Sequence, residues 1–186
     1  MDKTLFETFD YYEKNLSRYF FVFYTEAGTM KIDFDQKCFP HLAGIHHVFP
    51  NSDEFTGEAA VKKIVSKCLT YESMEAENEQ AFREFVREKQ KYLYKFFKAL
   101  VNSENVSIVK LDKESLKKKT KINADYGLYL PNQNIWLFLC LVKTGHDDDA
   151  NTEFLRPMSF VVRKGETFLT LSEKLHIFSK EKVLKY

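Results

Sequence analysis

The order of hydrophobic and polar positions divides the chain into a helix-rich part and a strand-rich part. Apolar side chains recur at helical spacing in residues 4–16, after Thr56, and in residues 79–102, where Lys89 interrupts the apolar stripe. Between the first two helices, residues 19–24 and 30–34 flank a glycine turn and predict a β-hairpin. Later segments alternate with the period of strands, and these are residues 106–111, 124–130, 135–142, 158–163, 168–171 and 175–178.

This layout predicts an α+β fold, with N-terminal helices and a hairpin packed against a mostly antiparallel C-terminal sheet. The length of 186 residues suits a single domain over residues 1–186. We expect its helical part to cover about residues 1–102 and its sheet part about residues 103–186.

Composition and charge narrow the class of protein. The chain is 44% hydrophobic and 16% aromatic, which suits a packed globule and argues against disorder. A net charge of +1 excludes a globally basic nucleic-acid binder, although residues 110–125 hold six lysines against three acids. That run predicts a solvated loop or, in a nuclease, a contact with phosphate.

The cysteines and the apolar runs predict where the protein resides. The three cysteines are scattered and form no CxxC pair, which indicates free thiols in a reducing compartment. No signal peptide precedes the first helix, and no apolar run is long enough to span a bilayer. We therefore expect a cytoplasmic protein without a membrane partner.

Several common catalytic devices are missing from the sequence. The six glycines form neither a GxGxxG nor a Walker arrangement, and no GxSxG elbow occurs. These absences exclude ATP-driven, dinucleotide-dependent and α/β-hydrolase chemistry from the leading hypotheses.

Three of the five histidines, His41, His46 and His47, lie within seven residues. The pattern around them predicts a short helix that begins near Pro40 and closes at Gly44 in a left-handed conformation. His41 then lies in the first turn, where the helix dipole disfavours a positive imidazolium and keeps the ring able to accept a proton. One interpretation is a solvated helix end; the other is acid–base chemistry or a metal site.

Metal-free cleavage of RNA fits these residues, because RNA supplies its own nucleophile, the 2′-hydroxyl. The protein then needs only a base, an acid and a cation for the phosphate, and no cofactor or metal. The predicted catalytic residues are His41, His46, Arg156 and Ser159. The predicted substrate-binding residues are Lys62, Lys118, Arg163 and Thr170.

A metal-dependent phosphodiesterase is a different hypothesis. In this hypothesis His146 and the acids at 147–149 offer hard nitrogen and oxygen ligands that combine with the histidine cluster. Neither an HExxH nor an HxH pattern accompanies them, and aspartates are common in turns for conformational reasons.

Three short motifs resemble the phage Barnase–EndoU–colicin–RelE-like nuclease families, in the branch with a Phe-x-His-Leu-x-Gly-Ile motif. They are Phe39-Pro-His-Leu-Ala-Gly-Ile45, Ala124-Asp-Tyr-Gly-Leu-Tyr129 and Arg156-Pro-Met-Ser-Phe160. The segment after residue 165 is similar to the family in order and length. The resemblance matches His41 to the family histidine and Ser159 to the polar residue of the last motif, with Arg156 just before it.

The resemblance implies a metal-independent ribonuclease or toxin of phage or mobile-element origin, with RNA as substrate. One departure is Glu173, where a glutamine is expected, and a carboxylate there would repel phosphate. The alternative is a phage- or mobile-element-encoded binding or inhibitor protein without activity, which targets a host or defence protein. A nuclease toxin would in turn imply an antitoxin as partner.

Overall fold

The structure is a computed structural model that describes residues 2–102, 104–120, 122–132, 135–164, 170 and 172–185. Its helices are α1 (Leu5–Tyr12), α2 (Phe39–Ala43), α3 (Ile45–Val48), α4 (Gly57–Val65), α5 (Tyr71–Glu77), α6 (Glu79–Ala81), α7 (Arg87–Val101) and α8 (Lys113–Lys119). Two π-helical segments, Glu13–Ser17 and Phe82–Val86, continue α1 and join α6 to α7, and 3-10 turns cover Gln36–Cys38 and Asp53–Phe55. None of the described helices is long and apolar enough to cross a membrane.

The strands are β1 (Tyr19–Thr25), β2 (Gly28–Asp33), β3 (Ser107–Leu111), β4 (Tyr126–Asn132), β5 (Ile135–Asp147), β6 (Thr152–Lys164), β7 (Ser172–Leu175) and β8 (Ile177–Leu184). In the described part of the chain they form one sheet in the order β7-β3-β4-β5-β6-β2-β1-β8. All neighbours pair antiparallel except β2 and β6, which are parallel over four residues of each strand. The predicted α+β fold with a mostly antiparallel sheet is confirmed.

The sheet curls until its two ends meet. β7 pairs with β3 at one end and β8 pairs with β1 at the other, yet only His176 separates these two strands along the chain. Two residues of extended chain span about 7 Å at most. The first and last strands of the sheet must therefore come together at His176.

The core is divided by the sheet. The main cluster joins α1, α2, α3, α4, α5 and α7 to one sheet face through fully buried side chains such as Phe39, Phe97, Leu139 and Phe160. A smaller cluster on the other face packs α8 against β3, β4 and β5 through Leu116, Phe138 and Cys140. The helices that carry the three clustered histidines, α2 and α3, belong to the helical layer.

The hairpin, the long helix and the short helix at Pro40 agree with the sequence prediction, but the hairpin is not a separate layer. Its strands extend the C-terminal sheet, because β2 pairs with β6 and β1 pairs with β8. The lysine-rich run is also different, since it forms α8, which the Asp112 side chain caps by accepting hydrogen bonds from the backbone N–H groups of Glu114 and Ser115. The predicted strand over residues 168–171 lies outside the described residues apart from Thr170.

Gly127 is required by the packing of β4 on β5. It lies in register with Cys140, and a β-carbon at this position would be 2.2 Å from two ring atoms of Phe138. The ring therefore occupies the space above the glycine, which explains why the Ala-Asp-Tyr-Gly motif needs a residue without a side chain here.

We expect Gly127→Ala to lower the free energy of unfolding by about 1–3 kcal/mol, because the buried Phe138 ring must move. Gly145→Ala is the matched control, since its β-carbon would lie 3.6 Å from Phe154, an ordinary contact. Urea unfolding followed by circular dichroism measures both. Equal midpoints for the two variants would contradict the proposed packing.

Candidate functional site

The histidine segment is a pair of short helices joined at one glycine. Pro40 stands in the first turn of α2, and Gly44 closes it with φ 84°, donating its N–H to the carbonyl oxygen of His41 at 3.0 Å. α3 begins at the next residue. The predicted helix start and left-handed closing position are both confirmed.

The inward side of these helices is fixed by aromatic packing. Phe39 lies 5.2 Å from Phe9 and 5.3 Å from Tyr12, measured between ring centroids. Leu42 and Ile45 are fully buried beside it. With the apolar side chains anchored, the three histidines are left on the outward side.

The histidine rings form a column. His41 stacks on His46 at 3.9 Å and 6°, His46 lies 3.9 Å from His47, and His47 stacks on Phe85 at 4.1 Å and 16°. Phe85 comes from the π-helical segment before α7 and is 38% exposed. His41 is exposed at the opposite end of the column, whereas His46 and His47 are partly buried.

Lys89 of α7 lies against the column and is only 9% exposed. A β-carbon placed on Gly44 would be 3.4 Å from Lys89 Nζ and 3.2 Å from the Phe85 carbonyl oxygen. The lysine side chain therefore crosses directly over the glycine that joins α2 to α3. Among the described residues its ammonium group has no ion pair and no hydrogen bond.

Burial and mutual repulsion keep this cluster poor in protons. Burial lowers the pKa of Lys89 to about 8, and the nearby Cys140 offers no counter-charge because burial raises its own pKa to about 12. Burial and the neighbouring positive charges lower the pKa of His46 to about 3 and that of His47 to about 4. Burial and then Lys89 also lower the pKa of His41.

The cluster at neutral pH is therefore one ammonium group surrounded by neutral imidazoles. His46 Nδ1 is buried and has no hydrogen-bond partner in the described part of the chain. The cluster thus combines a cation that has no carboxylate partner with imidazoles that have free lone pairs. Such a site suits an anion that also carries a proton to be removed.

The geometry of this cluster does not by itself identify the protein family, but a comparison with family models does. The model for the phage-Barnase-EndoU-ColicinE5/D-RelE like nuclease4 family matches residues 4–183, which is nearly the whole chain. The chain belongs to this nuclease family. No significant match was found among curated proteins or solved structures.

Of the predicted catalytic residues, Arg156 lies near the start of the histidine helices. It is exposed on β6, and its charge offsets the burial that raises the pKa of Cys38 to about 11. Cys38 immediately precedes α2, which packs against β6. The nuclease fold thus places Arg156 near the start of α2, although its side chain projects from the sheet face opposite the helical layer.

Ser159 is directed elsewhere. It lies in register with Cys140, which belongs to the cluster beneath α8. The next residue, Phe160, packs 5.3 Å from Phe96 of α7. Since neighbouring strand residues face opposite sides, the Ser159 side chain is on the sheet face away from α7 and the histidines.

The predicted substrate-binding residues are spread over the surface. Lys62 is exposed on α4, Lys118 is exposed on α8 across the sheet, and Arg163 lies seven residues, about 23 Å, along β6 from Arg156. Thr170 is exposed, and residues 169 and 171 on either side of it are outside the described residues. The structure does not gather these four side chains around one point.

Glu173 has little influence on the histidine cluster. It lies on β7 in register with Lys110, four strands from β6 in either direction around the curled sheet. The departure from the family pattern is therefore distant from Lys89 and His41.

His146 is engaged in a local network. It lies 3.1 Å from Asp148 and 3.6 Å from Glu153, close to the turn between β5 and β6. Within the described residues, no three His, Cys, Asp or Glu side chains are grouped so as to hold a metal ion.

The sequence interpretation missed the roles of Lys89 and Phe85. Lys89 was visible as a charged residue in the apolar stripe of a helix, which is the signal of a buried, specialised position. Its neighbour Gly44 is 45 positions away, however, and no local pattern links the two.

We expect Lys89→Met to raise the free energy of unfolding at pH 7 by about 2 kcal/mol, because a desolvated charge is replaced by an apolar chain of similar length. Lys95→Met, an exposed position on the same helix, should change it by less than about 0.5 kcal/mol. Thermal and urea unfolding of the two variants give the comparison.

The effect of Lys89→Met on stability should change with pH in a definite direction. Between the folded pKa of about 8 and the ordinary value of 10.5, the unfolded chain binds the Lys89 proton and the folded chain does not. The stability of the wild type relative to Lys89→Met should therefore rise from pH 7 to pH 9.5. A constant difference over that range would show that Lys89 is not desolvated.

Proposed function

We propose that this protein is a metal-independent endoribonuclease that cleaves RNA through the 2′-hydroxyl, with His41 and Lys89 as the reacting groups. The observation that supports it most is the ammonium group of Lys89, which has no ion pair among the described residues and belongs to a side chain only 9% exposed, near the exposed imidazole of His41. Membership of a nuclease family gives the substrate class, nucleic acid.

His41 is suited to be the general base. Its ring is the exposed end of the column, so a substrate can reach it, and its lowered pKa keeps it unprotonated at neutral pH. It accepts the proton of the 2′-hydroxyl while the 2′-oxygen forms a bond to phosphorus.

Lys89 is suited to two tasks in the same step. Its ammonium group stabilises the negative charge that develops on the phosphate oxygens. With a pKa of about 8 it is also close to the operating pH, as an efficient general acid should be. When the bond from phosphorus to the 5′-oxygen breaks, Lys89 donates a proton to that oxygen, leaving a 2′,3′-cyclic phosphate and a 5′-hydroxyl. His41 then releases its proton to solvent, and Lys89 takes one up.

His46 and His47 are suited to holding the base, not to supplying an acid. Their pKa values of about 3 and 4 leave almost no imidazolium at pH 7. His46 stacks flat on His41 and fixes the plane of its ring. Arg156, near the start of α2, gives a second cation for the RNA backbone.

The alternative is a protein of this family that binds a host or defence protein, or an antitoxin, and does not cleave RNA. β8 offers a surface for such a partner, because Phe178, Val183 and Leu184 are 66%, 40% and 60% exposed. One measurement, the cleavage of RNA, distinguishes the two functions.

We expect the wild type to cleave end-labelled RNA in the presence of a chelator, and His41→Ala and Lys89→Met each to lose at least about 100-fold in rate, as for removal of a general base or acid. Products should end in a cyclic phosphate, resolved by electrophoresis before and after phosphatase treatment. His176→Ala, at a histidine outside the column, is the control and should retain full activity. Absence of cleavage by the wild type on any RNA would favour the binding protein.

The rate of RNA cleavage should show a bell-shaped dependence on pH. The acidic side follows protonation of His41 below the usual histidine pKa of 6.5, and the basic side follows loss of the Lys89 proton near pH 8. The profile of kcat/KM against pH measures both. Lys89→Arg should lose most of the rate and the basic side near pH 8, because arginine does not give up its proton; a wild-type rate with an unmoved basic side would remove Lys89 from the role of acid.

A further inference from the structure

The sheet face turned away from the helical layer carries side chains that the proposed reaction does not use. On β1, β2 and β6, the residues Phe21, Ile32 and Leu155 are buried in the core. Their neighbours along each strand therefore project to the opposite face. This outer face carries Phe20, Val22 and Tyr24 of β1, Lys31 of β2, and Phe154 and Arg156 of β6.

Aromatic rings and cations alternate across this face. Lys31 lies in register with Phe154, and its Nζ is 4.1 Å from the ring centroid of Phe20 and 5.9 Å from that of Phe154. Tyr24 is 37% exposed, and its hydroxyl donates a hydrogen bond of 2.5 Å to Glu181 of β8, which fixes the ring. A groove lined by Tyr24, Lys31 and Phe154 runs between these side chains.

The acids of this face are engaged by other groups than Lys31 and Arg156. Glu181, which lines the groove, accepts the hydrogen bond from Tyr24, and Asp33 pairs with Lys185. Neither Lys31 nor Arg156 forms an ion pair with another described residue. Asp147 borders the groove at the Thr152 end of β6, which is the end away from Arg156. The cations that these acids leave for a ligand are therefore Lys31 in the groove and Arg156 beyond it.

The outer face ends close to the start of α2, the helix that carries His41. Phe154 and Arg156 are alternate residues on the same side of β6, about 7 Å apart along the strand. α2 packs against β6, and the charge of Arg156 on β6 lowers the pKa of Cys38, three residues before His41. A chain that lies on Phe154 and passes Arg156 arrives at the start of α2.

We propose that this outer face is the binding platform for single-stranded RNA, and the proposal rests on the function inferred above. Unpaired bases stack on Phe154 and Tyr24, and the phosphates contact Lys31 and Arg156 before the strand reaches His41. Stacking on protein rings needs bases that are not already paired, so the platform selects single strands over duplexes. A central lysine also fits RNA better than a protein partner, because the cores of protein interfaces are depleted in lysine.

The test measures binding and cleavage separately. Fluorescence anisotropy of a labelled, unstructured RNA is measured with His41→Ala protein, so that the RNA stays intact, and with the same protein carrying Phe154→Ala, Tyr24→Ala or Lys31→Gln. We expect each aromatic variant to weaken binding about 5- to 100-fold, and Lys31→Gln to reduce the slope of log Kd against log salt concentration by about 0.7.

Matched controls are Phe178→Ala, an exposed phenylalanine of β8 outside the groove, and Lys98→Gln, an exposed lysine of α7. Both should bind RNA as the His41→Ala protein does. Circular dichroism checks the folding of Phe154→Ala, and the surface variants Tyr24→Ala and Lys31→Gln carry the test if that variant unfolds.

The outcomes separate the two proposals. Binding of RNA that is equal in Tyr24→Ala, Lys31→Gln and the controls overturns the platform, even if the wild type cleaves RNA, and leaves the face to a protein partner. Weakened binding in the face variants supports the platform even if the wild type does not cleave, in which case only the proposed function falls. Equal binding of a duplex and a single strand of the same sequence also overturns it.

Discussion

The desolvated ammonium of Lys89 is the interaction on which the site depends. Removing a cation from water costs several kcal/mol unless an anion compensates it, and within the described residues no anion does. The cost is sustained because the rest of α7 is fixed in the core by Phe96 and Phe97, while Gly44 leaves room for the lysine side chain. Desolvation is the main reason that the histidines stay neutral, and the charge of Lys89 lowers the pKa of all three further.

The sheet topology explains why the histidines lie where they do. The parallel pairing of β2 with β6 ends at Ile32 and Leu155. Beyond that point the chain leaves β2 and becomes α2, which packs against the continuing β6. One strand therefore contacts the hairpin with its first residues and the histidine helix with its next ones, and this connects the outer sheet face to the helical layer.

Features with a local cause were predictable from sequence, and features with a distant cause were not. The start of α2 near Pro40 and the left-handed conformation of Gly44 each depend on residues a few positions apart, and both are present. The contact between β2 and β6 joins residues more than 120 positions apart, which no periodicity records. Likewise the bulge near Met158 alters the alternation on β6, so that Arg156 and Ser159, which are three positions apart, lie on the same sheet face.

A chain with a net charge of +1 can still present a strong anion site, because the effect of a charge depends on its surroundings. Exposed lysines such as Lys62 and Lys118 act through water and salt, which screen them within about 10 Å. Lys89 acts through a medium of lower dielectric constant, where the same charge has several times the effect at the same distance. Counting basic residues favours the lysine-rich run of α8 as the place for phosphate; burial favours the single lysine in the stripe of α7.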